Sequence, residues 1–303
     1  MIKKIVWVVE LAAFFLIFTF EAGQASYLKV KDSGFTELPV SARSLGMGGA
    51  FVGVADDYSA CYYNPAGLVN LKSPEIGSMY TDLYGLGLLS HSFLSFVEPD
   101  TGMGSGGISW SHLLADLEPE RWRYDLVVYS YANYFEKETG SAVSWGVNLK
   151  YITQTTSYED GYGYSLDVGY LKKWKKTCFG VCIRDVFSKI NWETGNEDTI
   201  PSTFTTGLAF RISNRALVSF DVNSSFQNLL REIKIGGEWE ISDKIFFRSG
   251  LFQKFQEDEA LNFSLGLGLN ASLTSKIRVI FDYAFVSSHQ LSDTHYLSIS
   301  LKF

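Results

Sequence analysis

Residues 260–269 read ALNFSLGLGL. Leu261, Phe263, Leu265, Leu267 and Leu269 alternate with Asn262, Ser264, Gly266 and Gly268. A helix turns every 3.6 residues and would scatter these apolar side chains around its circumference; a strand puts all of them on one face. The stretch SAVSWGVNLKY, residues 141–151, repeats the pattern, with Val143, Trp145, Val147, Leu149 and Tyr151 on one side and Ser144, Gly146, Asn148 and Lys150 on the other. So do GYSLDVGY (163–170), FTTGLAFRI (204–212), VSFDV (218–222), EIKIGGEWEI (232–241) and RVIFDYAF (278–285). About fourteen such segments are expected: 75–84, 88–96, 104–114, 123–135, 141–155, 161–172, 177–186, 203–212, 215–223, 231–241, 245–253, 260–270, 276–286 and 295–303. The first two alternate least clearly, so the sequence sets the number between about twelve and sixteen. The fold class is therefore all-β and antiparallel.

Alternation alone fits a soluble sandwich as well as a membrane barrel. Three features favour the barrel. The polar face is charged from strand to strand, through Lys150, Asp167, Arg184, Arg211, Asp221, Lys234, Glu238, Arg248, Arg278 and Asp282. The apolar face runs over segments of roughly 9–11 residues, enough for a tilted strand to cross a bilayer. The last residues, Tyr296 to Phe303, place Leu297, Ile299, Leu301 and Phe303 on one face. That ending resembles the insertion signal by which the barrel-assembly machinery recognises bacterial outer-membrane barrels, with Tyr296 and Phe303 as its aromatic residues. An even strand number closes the sheet and leaves no unpaired edge in lipid. Short links at Lys175-Lys176, Ser213-Asn214 and Ser242–Lys244 alternate with longer ones at 115–122, 156–160, 187–202, 224–230, 254–259 and 287–294. The short links belong in the periplasm and the longer ones outside.

The composition agrees. Aromatic residues make up 16% of the 303-residue chain, with 27 Gly and only 6 Pro. The net charge of −7 and pI near 5.2 argue against nucleic acid as a partner. Residues 1–25 have a basic start at Lys3 and Lys4, an apolar run from Ile5 to Phe20, and Gly23 and Ala25 spaced for cleavage. They read as a secretory signal peptide. Residues 73–303 are then the barrel.

Residues 26–72 show no strand alternation. Their core, SLGMGGAFVGVADDYSACYYNPAGL (44–68), could pass for a phosphate loop followed by catalytic carboxylates. Gly46, Gly48 and Gly49 lack the spacing and the lysine of a phosphate loop, and no strand–glycine–helix unit surrounds them. Asp56 is expected to cap a short helix over Tyr58 to Tyr63, with Asp57 in its first turn. Asn64-Pro65 reads as a second helix start, with Asn as N-cap and Pro at the first position. Small residues suit tight packing against a wall. Ahead of the first strand, such a segment belongs in the lumen as a plug.

The run FTELPVSARSLGMGGAFVGVADDYSACYYNPAGL, residues 35–68, resembles the N-terminal signature of the PorV/PorQ proteins. These are relatives of the long-chain fatty acid transporter (FadL) barrels. Ala42-Arg43, Leu45 to Ala50, Asp56-Asp57 and Asn64-Pro65-Ala66 carry the match. The resemblance implies a plug motif formed by Arg43, Gly46, Gly48, Gly49, Asp56, Asp57, Asn64, Pro65 and Ala66, with Asn64-Pro65-Ala66 lodged in the lumen. It implies an outer-membrane location, lipid around the wall, and either a hydrophobic small molecule or a secreted protein cargo as partner. The short outer loops lean toward the PorV/PorQ branch, associated with type IX secretion.

Enzymatic chemistry finds little support. His289 and His295 share a loop region with Ser292 and Asp293, but no nucleophile turn marks them. His91 and His112 lie apart. Cys61, Cys178 and Cys182 read as packed side chains; Cys178 and Cys182, four apart in a strand, stand about 13 Å from each other, too far to bridge. Acidic runs at Asp116–Glu120 and Glu257–Glu259 read as solvated loops. No cofactor, metal or catalytic residue is expected. Four functions remain in order: a plugged conduit for hydrophobic molecules, a secretion accessory, an open porin and a rim enzyme.

Overall fold

The computed structural model describes residues 38–117, 119–225, 230–255, 260–289 and 292–303. The expected signal peptide and the first part of the 26–72 segment lie outside them. Seven strands come first: β1 (Glu75–Asp82), β2 (Leu89–Glu98), β3 (Ser105–Leu117), β4 (Glu120–Glu138), β5 (Ser141–Thr155), β6 (Asp160–Trp174) and β7 (Thr177–Trp192). Seven more come after: β8 (Thr203–Ser213), β9 (Ala216–Ser225), β10 (Glu232–Ser242), β11 (Ile245–Lys254), β12 (Leu261–Ser272), β13 (Arg278–Val286) and β14 (Thr294–Lys302). Each pairs antiparallel with its chain neighbours, and β1 pairs with β14, Glu75 facing Lys302. The sheet is a closed fourteen-stranded barrel; a two-residue piece, Glu197–Asp198, folds back on β7 as an extra pairing.

The alternation sorts as expected for a barrel in lipid. Leu261, Phe263, Leu265, Leu267 and Leu269 point outward and are 43–56% exposed, while Asn262 and Ser264 between them are buried. Val127, Tyr129, Leu149, Tyr151, Phe281, Leu297 and Ile299 continue the outward apolar belt. With no water at that depth, only full backbone pairing makes such a wall viable.

Several boundaries differ from the sequence reading. The link at 115–122 is shorter than expected, because β3 runs to Leu117 and β4 begins at Glu120. The link at 187–202 shrinks to 193–202 because β7 continues to Trp192. Pattern reading lost the end of β7 for a physical reason. Asp185 and Phe187 adopt positive φ (58° and 54°), and the β6–β7 register slips twice around them. Each bulge flips the in–out phase of the residues beyond it. Arg211 and Arg278, expected inside, stand exposed at the barrel's end. Tyr296 is buried on the inner side of β14, the opposite face from Phe303. The two aromatics of the expected insertion signal therefore stand on opposite faces of the strand.

Candidate functional site: a plug seated on lumenal glycines

Residues 38–72 fill the lumen. A short helix, α1 (Ala42–Gly46), ends at Gly48 and Gly49, whose φ values of +64° and +75° turn the chain back. The amide of Gly48 donates to Ser264 Oγ at 2.9 Å. The amides of Phe51 and Val52 both donate to Asp221 Oδ2, at 2.8 and 2.9 Å. After α2 (Ala60–Tyr63), Asn64 starts a 3-10 helix, Pro65–Asn70, by accepting the Ala66 N–H at 3.1 Å. Its side-chain nitrogen donates to the carbonyls of Val52 and Tyr170. Asn64 thus ties the plug to itself and to β6, and Pro at the first helical position sacrifices no hydrogen bond.

Asp56 does not cap a helix. The helix starts later, at Ser59, whose own side chain makes no cap bond. Asp57 takes the local role instead: its Oδ1 accepts the Ser59 amide at 2.9 Å and the Ser59 hydroxyl at 2.6 Å. Both carboxylates are drawn to Arg43, which lies 2.7 Å from Asp56 and 2.8 Å from Asp57. The other edge of the same guanidinium grips Glu238 of β10 through Nε and Nη2, at 2.8 and 2.9 Å. This planar two-pronged grip is one that lysine cannot make. Glu238 is shared with Arg248, which in turn donates to Asp282 at 2.7 Å. Burial opposes the charge on Arg43, but the three carboxylates around it hold its pKa well above the usual value. Burial likewise disfavours ionised Asp57, and Arg43 outweighs it, leaving the carboxyl below its ordinary range.

A second group ties plug to wall across the lumen. Lys150 lies 2.7 Å from Asp167 and 3.0 Å from Asp185. Asn148 bridges Asp167 to the Cys61 carbonyl at 2.8 and 2.7 Å.

Glycines of the wall form the floor under the plug. Gly236 and Gly250 face each other on β10 and β11 and lie beneath Met47 and Gly48. Gly266 meets Gly46. Gly180 and Gly207, paired on β7 and β8, lie beneath Val52 and Gly53. Gly146 and Gly169, paired on β5 and β6, lie beneath Asn64, Pro65 and Ala66, and Gly77 lies under the Tyr58 ring. A methyl group added at Gly77, Gly146, Gly169, Gly180, Gly236 or Gly250 would overlap plug atoms outright. The sequence reading took these glycines only as the small members of the polar face. The available signal was their position: they fall at inward sites and pair across neighbouring strands.

A cavity of about 20 Å³, bordered by Leu38, Val40, Phe93, Leu126, Val128 and Arg184, has room for little more than a water molecule. The remaining sequence candidates are dispersed. His295 meets the Tyr283 hydroxyl on the outer wall, and His289 lies 3.2 Å from the Leu261 carbonyl. All three cysteines are free thiols, and no metal-binding cluster occurs among the described residues.

Comparison with solved structures fits this geometry. The chain superposes on the CymD monoaromatic hydrocarbon channel with a TM-score of 0.63 at 13% identity, covering 87% of this chain and 97% of that one. The toluene transporter TodX of Pseudomonas putida gives 0.61 at 10% identity, over 86% and 97% of the two chains. A Pseudomonas aeruginosa FadL homologue gives 0.57 at 11% identity, over 88% and 98%. The fold is that of the FadL-type barrels. Neither a protein-family model nor a curated protein sequence matches the chain.

Proposed function

We propose that this protein is a non-enzymatic outer-membrane channel that passes small hydrophobic molecules around a seated plug. The observation that carries the reading is the plug itself: residues 38–72 stand inside the wall and bond to inward side chains of β5, β9 and β12, which disfavours an open aqueous porin. The shared fold with monoaromatic hydrocarbon channels supplies the solute class. In this reading lipid surrounds the outward belt, and the barrel-assembly machinery engages the C-terminal strand ending in Phe303.

The wall offers a sideways route. The β7–β8 ladder ends at the pair Arg184–Thr203. Between that pair and the short backbone pairing of Ile190 and Asn191 with Asp198 and Glu197, the seam is held by side chains: Ser188 Oγ contacts both the carbonyl and the amide of Ile200 at 2.8 Å, and Ser202 Oγ donates to the Asp185 carbonyl at 2.9 Å. Such bonds part with less backbone rearrangement than a continuous ladder. Arg184 borders the cavity on the inside, and Phe187 is exposed on the outside.

The test is uptake of radiolabelled toluene and of a long-chain fatty acid into proteoliposomes, beside single-channel recording. Uptake of either solute with an electrically quiet bilayer supports the reading. Large steady conductance with no hydrocarbon uptake overturns it. The 35–68 motif favours a second reading, a type IX secretion accessory that holds exported protein. Co-purification of a secreted cargo with the barrel, without solute uptake, would select that one.

A further inference from the structure

The mouth where the turns at 139–140, 175–176, 214–215 and 243–244 gather, periplasmic in the orientation that short turns favour, carries a groove the channel reading does not use. Its volume is about 60 Å³. It opens inside the rim between the plug, the β6–β7 turn and the ends of β8 and β9. Lys173, Lys175, Lys176 and Arg211 stand around it, all exposed, over an apolar floor that includes Ala209 and Leu217. Among the described residues none of these four cations makes an ion pair; Lys173 has only a 3.5 Å contact to Asn70 Oδ1. Elsewhere the protein neutralises its buried cations thoroughly, as at Arg43, Lys150 and Arg248. Four uncompensated cations on a chain of net charge −7 make a local reversal of sign. The opposite end is acidic, with Glu120, Glu159, Glu193 and Asp198 in or beside its loops, and Asp116 and Glu197 paired with Arg121 and Lys189. An anionic partner is therefore attracted at one end of the barrel and repelled at the other.

We infer that this groove docks an acidic segment of a periplasmic protein, with carboxylates on the four cations and an apolar side chain on the Ala209–Leu217 floor. A lipid headgroup fits less well, because Lys173, Ala209 and Arg211 stand on the inward side of their strands, toward water rather than the bilayer. The plug's Asp56 also borders the groove and holds Arg43 at 2.7 Å.

The experiment uses the full barrel in detergent, with both ends accessible, so it does not depend on the channel activity or on membrane orientation. The probe is a fluorescein-labelled peptide of about ten residues, leucine flanked by glutamates, read by anisotropy with salt varied about the physiological range. Binding that weakens with salt, and that falls more than about tenfold in Lys175→Glu/Lys176→Glu, supports the inference. Lys175→Gln/Lys176→Gln serves as the milder variant and should give an intermediate loss. Three results overturn it: no binding to the wild-type barrel, equal binding of a peptide with glutamine in place of glutamate, or displacement of the peptide by phosphatidylglycerol vesicles.

Discussion

Replacing Arg43 with methionine removes the charge that joins plug to wall and keeps most of the side chain's length. In the wild type one guanidinium satisfies Asp56, Asp57 and Glu238 at 2.7 to 2.9 Å. Removing one partner of a buried ion pair costs about 3–5 kcal/mol, because the other charge is left without compensation. Here the loss belongs at the low end. Asp56 is about one-third exposed and can turn to water, Glu238 keeps Arg248, and Asp57 keeps both bonds from Ser59. A loss of about 3 kcal/mol multiplies the unseated population by roughly a hundred, since each 1.4 kcal/mol is tenfold. Cys61 reports it: the residue lies in the plug's own α2 and is 1% exposed. In a Cys178→Ser/Cys182→Ser background, Arg43→Met should raise maleimide labelling of Cys61 about a hundredfold, with brief conductance openings appearing in parallel. Arg43→Lys should fall between, lacking the two-pronged grip on Glu238. If labelling and conductance of Arg43→Met stay within about threefold of the parent, against the hundredfold expected, Arg43 does not lock the plug.

The same geometry sets four further outcomes. Gly250→Val should weaken plug seating by at least the ~1–3 kcal/mol of ordinary overpacking, read as faster Cys61 labelling while the barrel stays folded; unchanged labelling would show that the glycine bed is not a fitted seat. The lowered pKa of Asp57 means its contribution is complete above the ordinary aspartate value, near pH 4, and is lost as pH falls through its lower folded value. Channel openings should therefore become frequent only in strong acid, and openings at neutral pH that vanish on acidification would contradict the sign. Leu265→Arg, mid-strand on the lipid belt, should cost about 2–4 kcal/mol in urea titrations of vesicle-inserted protein; no loss would place that face away from the bilayer. Ser188→Ala/Ser202→Ala should loosen the β7–β8 seam and change hydrocarbon uptake without changing Cys61 labelling, whereas a rise in labelling alone would tie the two serines to the plug.

The strands were legible because lipid outside and a packed lumen inside enforce a period of two, and the stretch from Leu261 to Asn270 alone reveals it. β7 was cut short because Asp185 and Phe187 break that period where the structure bends. The plug's ingredients were visible one by one: the turn at Gly48-Gly49 and the Asn64-Pro65 start needed only local rules. Its electrostatics were not. Arg43 meets Glu238 across 195 residues, and no local spacing predicts that contact. Asp56 looked like a helix cap, with Asp57 in the first turn, because a cap is the commonest local use of such a residue; Arg43 draws Asp56 away, and Asp57 takes the bonds from Ser59.

The paired glycines of the wall also act as a gauge for assembly. Strands take their register one at a time, and a slip of a single residue exchanges the two faces of a strand. A slip in β10 would turn Gly236 outward and bring Ile235 or Gly237 to its place beneath Met47. The loop at Gly46–Gly49 can settle only where β10, β11 and β12 all present bare backbone at the same height. Plug docking is then a check that the strand alignments around it are correct, and a misaligned barrel is left with an unlatched segment.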